Sequence, residues 1–248
     1  MFNKKITCII PARLNSIRFP KKILSSILGK PILQWVFDAA SKIKKFDSVL
    51  FAIDSEETKK VLKSFNAPYV MTSQNCPSGT HRLIEVMKTK IIDSDIWVNW
   101  QADEPFISEK MINDLLKSSK KSKTDVWTLK KEIINKQEII SPNTVKVVSD
   151  FNDKALYFSR SPIPYYREKI EQEKYFKHIG IYAYTRDALK VIDSLSSCHL
   201  EDAEKLEQLR FLYYGLRIKV NETKYEALGI DTVEDLKTAE NYARTSLT

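Results

Sequence analysis

The sequence predicts an α/β protein, because strand-like and helix-like segments alternate along the first half of the chain. Short β-branched and aromatic runs at 6–10, 48–53, 68–72 and 96–100 are typical of buried strands. Helical patterns at about 31–45, 56–66, 80–91 and 108–119 separate them. This alternation is typical of βαβ units, which place parallel strands side by side in one sheet.

The second half of the chain predicts a more antiparallel arrangement. We expect strands at 145–148, 156–159 and 178–184, then helices at about 186–195 and 200–214. Strands at 217–220 and 227–230 and a helix from about residue 233 close the chain. With 248 residues and 43% hydrophobic content, the chain can bury the core of one domain. We therefore predict a single domain over 1–248, with an insertion or interface element at about 145–185.

Composition argues against several classes of protein. No apolar run reaches the roughly 18 residues of a membrane-spanning helix, and the N-terminus leads into a strand, so we predict a cytoplasmic protein without membrane insertion. Cys8, Cys76 and Cys198 lack metal-ligand spacing and are interpreted as reduced thiols. The net charge of +8 and the lysine-rich segment 117–123 raise the possibility of nucleic-acid binding. That segment lacks interleaved aromatic residues, which favours a solvated loop and no nucleic-acid partner.

A cationic loop follows the first predicted strand. Arg13, Arg18, Lys21 and Lys22 lie within ten residues, a density of positive charge that suits a polyanion such as a triphosphate. The five glycines form neither the G-x-G-x-x-G pattern of dinucleotide-binding proteins nor a Walker A loop. A bound nucleotide would therefore be held mainly by arginine and lysine side chains, with help from main-chain N–H groups.

Carboxylates follow two other predicted strands. Asp103 and Glu104 come directly after the run at 96–100, and Asp231 closes the run at 227–230. Ligands of open α/β sheets gather at the carboxyl ends of the strands, so these loops can converge with the cationic loop. Two carboxylates from separate strand ends suit Mg²⁺, which prefers oxygen ligands. The alternative is that Asp103 and Asp231 are unrelated turn formers or helix caps.

Other polar residues allow both a functional and a structural interpretation. Residues 78–82 begin a helix and would expose backbone N–H groups and one guanidinium to an anion or a base edge. Arg160 suits either a bidentate pair with a sugar carboxylate or a structural salt bridge. His178 is a lone histidine, which is more often structural than catalytic. Glu207 and Gln208 fall just off a helical core stripe, on the surface or within reach of a polyhydroxylated ligand.

The sequence resembles one known family nearly end to end, the 3-deoxy-manno-octulosonate (Kdo) cytidylyltransferases, also called CMP-Kdo synthetases. Motifs shared with sugar nucleotidyltransferases in general are IIPAR with S-x-R-x-P-x-K, MTS with SGT-x-R, and Q-x-DEP. More specific segments are NTVKVV, ALYFSRSPIPY, KHIGIYAY, LEQLR with YG, and GIDT-x-EDL. The resemblance therefore depends chiefly on the second half of the chain.

The resemblance implies a Rossmann-like nucleotidyltransferase fold with a mixed, mostly parallel central sheet and a small antiparallel dimerisation element. It also implies a homodimer, Mg²⁺ as cofactor, and transfer of CMP from CTP to Kdo for lipopolysaccharide biosynthesis, with 145–185 as an interface or sugar-binding element. By motif, Arg13 and Lys22 would hold the triphosphate, and Asp103 and Asp231 the metal. The cleft would be lined by Ser78, Gly79, Thr80, Arg82 and Gln101, and the sugar acid contacted by Gln101, Arg160, His178, Tyr182, Glu207 and Gln208.

Three positions depart from the family pattern. Lys21 stands where P-G-K-P-L has glycine, Ala102 where Q-G-D-E-P has glycine, and His81 where SGTER or SGTDR has an acid. The changes are either tolerated drift or a cause of altered sugar preference or lost activity. The alternatives to a Kdo enzyme are therefore a cytidylyltransferase for a related acid, such as 8-amino-Kdo or a nonulosonate, and a non-catalytic family member.

Overall fold

The computed structural model describes residues 4–15, 19–119, 123–168 and 173–246. Arg18 of the cationic loop, and Lys120 and Lys121 of the lysine-rich segment, lie outside the described residues. The chain divides into two units, Met1–Ile112 with Glu226–Thr248, and Asn113–Tyr225.

The first unit contains the predicted parallel strands. Its strands are β1 (Ile6–Ala12), β2 (Ser26–Ile27), β3 (Lys30–Pro31), β4 (Ser48–Ile53), β5 (Tyr69–Met71) and β6 (Ile96–Asn99). Strands β6, β1, β4 and β5 pair in that order, all parallel, while β2 and β3 form a small antiparallel pair. Every residue of β1 is buried, as expected for a central strand covered on both faces. The four predicted strands are confirmed.

Side-chain caps begin three of the helices in the first unit. The helices are α1 (Ile32–Ser41), α2 (Glu56–Ser64), α3 (Gly79–Lys88) and α9 (Val233–Ser246), and α4 (Glu109–Leu116) follows β6 in the chain. Ser55 Oγ accepts from Thr58 N at 3.0 Å at the start of α2. Before α9, Thr232 Oγ1 accepts from Asp235 N while Asp235 Oδ2 accepts from Thr232 N, a reciprocal capping box. Thr232 is thus the helix cap, and Asp231 stands directly before it.

The second unit has a mixed sheet. Its elements are β7 (Val126–Glu132), α5 (Lys136–Ile140), β8 (Lys146–Ser149), β9 (Ala155–Ser159), β10 (Phe176–Thr185), α6 (Arg186–Asp193), α7 (His199–Glu204), α8 (Glu207–Tyr213) and β11 (Ile218–Glu222). Strand β11 pairs with β7 in parallel, whereas β10 pairs with β7 and β8, and β8 with β9, in antiparallel fashion. The antiparallel character predicted for the second half is confirmed.

Two predicted elements are wrong, and three strands, β2, β3 and β7, were not predicted. The single helix expected at 200–214 is two helices, because Lys205 adopts a left-handed conformation with φ 52° and ends α7. Residues 227–230 form no strand, although Ile230 N donates to Asp103 O at 3.0 Å. The sequence pattern does not place β7, since its buried residues 126–130 are followed by charged Lys131 and Glu132. Among the described residues, no helix is long and apolar enough to cross a membrane.

Candidate active site

A cavity of about 400 Å³ opens in the first unit where β1 and β6 end. Its walls come from the segment after β1, the start of α3, the segment after β6, and the residue before the α9 cap. The lining residues are Pro11, Arg13, Asn15, Lys22, Ile23, Cys76, Pro77, Ser78, Gly79, Arg82, Gln101, Ala102, Asp103 and Asp231. The position agrees with the rule that α/β sheets bind ligands at the carboxyl ends of their strands.

Asp103 and Asp231 converge on one ammonium group in this cavity. Lys22 Nζ lies 2.5 Å from Asp103 Oδ2 and 2.7 Å from Asp231 Oδ1. Burial pushes the pKa of Lys22 down, but the opposing attraction and hydrogen bonds of the two aspartates outweigh it, and the pKa is raised above its ordinary value. Lys22 is therefore a firmly charged ammonium, and two unrelated caps do not describe this pair of carboxylates. We call these three residues the Lys22 cluster.

The donor chemistry of the Lys22 cluster fits Mg²⁺. Both carboxylate oxygens lie within 2.7 Å of the same cationic nitrogen, so they are close enough for one divalent cation to contact both. Mg²⁺ is commonly bound by one or two carboxylates, with waters and substrate phosphates completing its coordination. Within the described chain, no group of three or more histidine, cysteine, aspartate or glutamate residues could hold a metal ion. The fit therefore depends on these two carboxylates.

Glu104 adds a neutral acid beside the cluster. Burial first, and then the charges of Asp103 and Asp231, raise the pKa of Glu104 to about 8, although Lys22 opposes the shift. The residue as a whole is partly exposed, but its Oε2 atom is buried and has no hydrogen-bond partner within the described chain. The burial of that oxygen decides the direction of the shift, because the carboxylate charge is shared between Oε1 and Oε2. Trp100 Nε1 donates to the Glu104 carbonyl at 2.9 Å and fixes the backbone there.

The start of α3 packs directly against the ends of the sheet strands. Ser78 Oγ accepts from His81 N at 3.3 Å, so Ser78 is the N-cap, as predicted from residues 78–82. A Cβ atom on Gly79 would lie 3.1 Å from the Pro11 ring and 3.4 Å from Gln101 Nε2. This close approach requires the absence of a side chain at residue 79, and it brings the first N–H groups of α3 to the cavity wall.

The guanidinium of Arg82 makes internal hydrogen bonds in this region, although the sequence suggested that it would be exposed. Its guanidinium donates to Asp54 Oδ2 at 2.6 Å, Thr72 Oγ1 at 2.7 Å and the Ser73 carbonyl at 3.1 Å. The other oxygen of Asp54 accepts from Leu14 N at 3.0 Å. The expectation that residues 78–82 expose a guanidinium to a ligand is therefore wrong, because these bonds are internal. Arg82 still lines the cavity, and its assignment to the nucleotide stays a prediction.

Of the remaining cleft residues, Arg13 and Gln101 line the cavity and Thr80 does not. Arg13 is exposed, and its guanidinium has no hydrogen-bond or ion-pair partner within the described chain. Gln101 Nε2 donates to Asn99 Oδ1 at 2.9 Å. Thr80 is buried. Their assigned roles stay predictions, and the geometry makes Arg13 the cation most available to an anion in this cavity.

The three departures from the family pattern are accommodated locally. Lys21 has φ 56° and ψ 25°, the left-handed region that favours glycine, and its ammonium donates to Glu57 Oε2 at 2.7 Å rather than lining the cavity. Ala102 is not among the described non-glycine residues with positive φ, so its methyl group causes no backbone strain. His81 Nδ1 lies 2.9 Å from Ser78 Oγ at the cap of α3.

In the second unit, Arg160 clamps main-chain carbonyls. Its Nε donates to the Glu204 carbonyl at 2.7 Å and its Nη1 to the Pro142 carbonyl at 2.8 Å, while Arg160 N donates to Glu204 Oε2 at 2.9 Å. These bonds tie the end of β9 to the end of α7. The sequence suggested that Arg160 would pair either with a sugar carboxylate or with a structural carboxylate. Its side chain instead donates to main-chain carbonyls.

Four further residues assigned to the sugar have defined surroundings in the second unit. Glu207 Oε1 accepts from Arg210 Nη2 at 3.2 Å, and Gln208 is buried rather than off the core. The His178 ring packs against Phe158 and Tyr182, with centroids 5.1 and 5.3 Å apart. Tyr182 also stacks on Tyr184 at 5.8 Å. Burial lowers the pKa of His178 to about 3, so the imidazole is neutral at physiological pH.

Two residues that the sequence interpretation missed belong to the cavity region. Asp54 follows β4 just as Asp103 follows β6, so the rule of strand carboxyl ends could have identified it. Cys76 lines the cavity and donates from Sγ to Glu85 Oε2 at 2.9 Å. Burial, assisted by Glu85, raises the pKa of the Cys76 thiol to about 11, so it stays protonated. Nothing in the local sequence indicates that placement.

Residues 7–218 match the cytidylyltransferase family. A 3-deoxy-manno-octulosonate cytidylyltransferase from Thermodesulfovibrio yellowstonii is 42% identical, covering 96% of this chain and 98% of the relative. A protein of the same name from Fusobacterium nucleatum is 44% identical, covering 97% of each chain.

Solved structures agree with these relatives. A CMP:2-keto-3-deoxy-manno-octonic acid synthetase complexed with CTP has a TM-score of 0.92 and 38% identity, covering 98% of this chain and 99% of that chain. A 4-diphosphocytidyl-2C-methyl-D-erythritol synthase from Anaerococcus prevotii, 18% identical with a TM-score of 0.63, shares the fold. The predicted Rossmann-like nucleotidyltransferase fold with a mixed, mostly parallel sheet is confirmed. The chain belongs to the cytidylyltransferase family and, within it, to the 3-deoxy-manno-octulosonate cytidylyltransferases.

Proposed function

We propose that this protein transfers CMP from CTP to the anomeric hydroxyl of Kdo and releases pyrophosphate. The observation that carries the proposal is the convergence of Asp103 and Asp231 on Lys22 in a cavity that also contains Arg13. Two carboxylates and two cations in one cavity suit a metal–triphosphate substrate. Relatives at 42–44% identity over nearly the whole chain bear the name of this activity, which supports the choice of substrates.

The chain's own groups bind and orient the reactants. Arg13 has a guanidinium without a described partner, and Lys22 a charged ammonium, so both can donate to triphosphate oxygens. In the reaction, the sugar oxygen forms a bond to the α-phosphorus, and the bond from that phosphorus to the bridging oxygen of pyrophosphate breaks in line. Such a transfer needs positioning and charge neutralisation rather than an enzyme nucleophile.

We propose that Asp103 and Asp231 hold Mg²⁺. A bound Mg²⁺ would neutralise charge on the reacting phosphate and lower the pKa of the attacking hydroxyl. Lys22 neutralises the same two carboxylates in the ligand-free protein and keeps them together on one side of the cavity. This prior arrangement lowers the cost of assembling the site when the substrate binds.

We further propose a homodimer formed through residues 145–185, a cytoplasmic location, and a role in lipopolysaccharide biosynthesis. The interface is supported by the antiparallel β8–β9 pair and by apolar side chains that are exposed in one chain: Phe151 at 96%, Leu156 at 59% and Tyr165 at 87%. Three free cysteines agree with a reducing compartment. The role in lipopolysaccharide biosynthesis follows from Kdo as the sugar.

The test is pyrophosphate release by the purified protein with Mg²⁺, in which each of CTP, ATP, GTP and UTP is combined with Kdo, 8-amino-Kdo or N-acetylneuraminate. We expect turnover only with CTP and Kdo. Turnover with another acid would replace Kdo as the substrate but keep the reaction. CTP binding without any turnover would overturn the proposal and indicate a non-catalytic family member.

A further inference from the structure

A buried threonine in the second unit contacts the imidazole of His178. Thr128 lies in β7 and is fully buried, and its Oγ1 is 2.9 Å from His178 Nε2 in β10. The same oxygen is 3.0 Å from the Ile179 carbonyl and 2.9 Å from the Ile181 carbonyl. The β7–β10 register is irregular between Ile179 and Ala183, which turns main-chain carbonyls of β10 toward a side chain. One hydroxyl therefore serves three polar neighbours.

Counting protons assigns the direction of these hydrogen bonds. A hydroxyl has one proton to donate, and a carbonyl oxygen can only accept. The proton of Thr128 is required by the two carbonyls, so its oxygen must accept from His178 Nε2. The imidazole is neutral, because burial lowers its pKa to about 3, and it therefore carries a single ring proton. That proton sits on Nε2, and Nδ1 is left with a lone pair.

The accepting nitrogen has no protein partner among the described residues. No described residue makes a hydrogen bond to His178 Nδ1, and this atom is not among the buried side-chain nitrogens and oxygens that lack a partner. Phe158 and Tyr182 hold the ring from two directions, with centroids 5.1 and 5.3 Å away. Ring orientation and tautomer are thus both fixed before any ligand arrives.

We propose that Thr128 is a positioning residue that fixes the Nε2-protonated tautomer of His178, so that Nδ1 accepts a hydrogen bond from a hydroxyl of the sugar acid. The tautomer follows from the hydrogen-bond geometry and the neutral state of the ring, whereas the choice of sugar rests on the proposed function. An acceptor at this point attracts a hydroxyl and repels a carboxylate. His178 therefore selects for a sugar hydroxyl, and an analogue without that hydroxyl leaves Nδ1 unpaired.

The tautomer is measurable in the wild-type protein. Imidazole ¹⁵N chemical shifts at neutral pH distinguish protonated from unprotonated ring nitrogens, and the chain has only three histidines. The His178 signals are those that disappear in His178→Gln. We expect a proton on Nε2 and none on Nδ1. A proton on Nδ1, or a doubly protonated ring, overturns the proposal without reference to any substrate.

Variants of Thr128 test its positioning role. Thr128→Val has nearly the same shape without the hydroxyl, and we expect its His178 spectrum to show a mixture of tautomers. The KM for Kdo should rise about three- to tenfold, the loss of one hydrogen bond, with the KM for CTP unchanged. Thr128→Ser keeps the hydroxyl and should restore both the tautomer and the KM. A Thr128→Val protein with the wild-type tautomer and KM contradicts the positioning role.

Thr223→Val is the matched control. Thr223 is a buried threonine of the same unit, and its hydroxyl donates to Asp114 Oδ2 at 2.7 Å. This variant should lose stability but keep the His178 spectrum and the KM for Kdo. Should Thr128→Val fail to fold, the wild-type and Thr128→Ser spectra decide the tautomer. Absence of Kdo turnover in the wild type refutes the proposed function, and the ¹⁵N spectra still test the role of Thr128 separately.

Discussion

Two clusters of cations and carboxylates in the first unit differ in how completely their charges are satisfied. Arg82 and Asp54 have side chains only 2% and 6% exposed, and the guanidinium also bonds Thr72 and Ser73. In the Lys22 cluster, Lys22 is 11% exposed, but Asp103 is 28% and Asp231 is 45% exposed. The Arg82–Asp54 cluster is a buried internal brace, whereas the Lys22 cluster keeps its two carboxylates partly exposed.

The chemistry of the two cations suits this difference. The planar guanidinium of Arg82 directs several donors at once and loses little freedom in a fixed, buried site. The ammonium of Lys22 is a point charge on a flexible stem, so it can exchange one partner for another. Charge alone therefore does not identify a binding site. The burial of the cation and the number of its donors already used in internal hydrogen bonds distinguish a binding site from a structural brace.

The largest expected effect is a loss of catalysis when the Lys22 cluster loses a carboxylate. Asp103→Asn should lower kcat with CTP, Kdo and Mg²⁺ about 10³-fold or more, because metal binding and charge neutralisation contribute several kcal/mol. Its thermal unfolding should stay near that of the wild type, since Asp103 is partly exposed. The measurement is pyrophosphate release, with Asp38→Asn as a control that removes the exposed partner of Lys30. Normal turnover in Asp103→Asn would remove this residue from the metal site.

The next largest effect is a loss of stability when the Arg82–Asp54 cluster loses its cation. Arg82→Met should lower the free energy of unfolding by about 3–5 kcal/mol, because it leaves Asp54 buried without its partner. Urea denaturation measures the change. Arg217→Met, which removes the exposed partner of Asp125, should cost much less. Similar small losses in both variants would show that the Arg82–Asp54 pair is not a brace.

The pH dependence of the unfolding free energy tests the electrostatics around the Lys22 cluster. The pKa of Glu104 rises from an ordinary 4.5 to about 8 in the folded state, so folding takes up a proton between these values. The stability contributed by the neutral acid is complete below about pH 4.5 and is lost as the pH rises to about 8. Unfolding free energies measured with EDTA should therefore fall less steeply over this range for Glu104→Gln than for the wild type. Equal slopes for the two proteins would contradict the raised pKa.

The smallest effect on stability and turnover is expected at Lys21, which is next to Lys22 in the chain but does not line the cavity. Lys21→Gly relieves about 1 kcal/mol of left-handed strain but loses a similar amount through greater freedom of the unfolded chain. We expect nearly unchanged stability and turnover, measured by thermal unfolding and pyrophosphate release. A large loss of turnover would mean that the Lys21 ammonium acts on the substrate, and the departure from the family pattern would then be functional.

The parts of the site that depend on local pattern could be predicted from the sequence. Strand β4 was predicted at 48–53 and is observed as Ser48–Ile53, and the convergence of Asp103 and Asp231 follows from the position of loops after strands. The capping box before α9 is likewise visible in the order of residues.

Contacts between distant segments could not be predicted. The burial of Arg82 depends on Asp54, 28 residues earlier, and the tautomer of His178 on Thr128, 50 residues earlier. The break at Lys205 depends on a left-handed conformation that a lysine rarely adopts. Residues 227–230 are apolar enough for a strand but find no ladder of partners, so propensity alone gave the wrong element.

We propose that the Lys22 cluster binds the metal together with the nucleotide. The most direct measurement is the binding of Mn²⁺, as a paramagnetic substitute for Mg²⁺, to the wild type, Asp231→Asn and the control Asp125→Asn in the presence of CTP. We predict that, in the presence of CTP, the wild type and Asp125→Asn bind Mn²⁺ equally. Asp231→Asn should bind Mn²⁺ at least about tenfold more weakly. Equal binding by all three proteins would contradict the assignment of the metal to the Lys22 cluster.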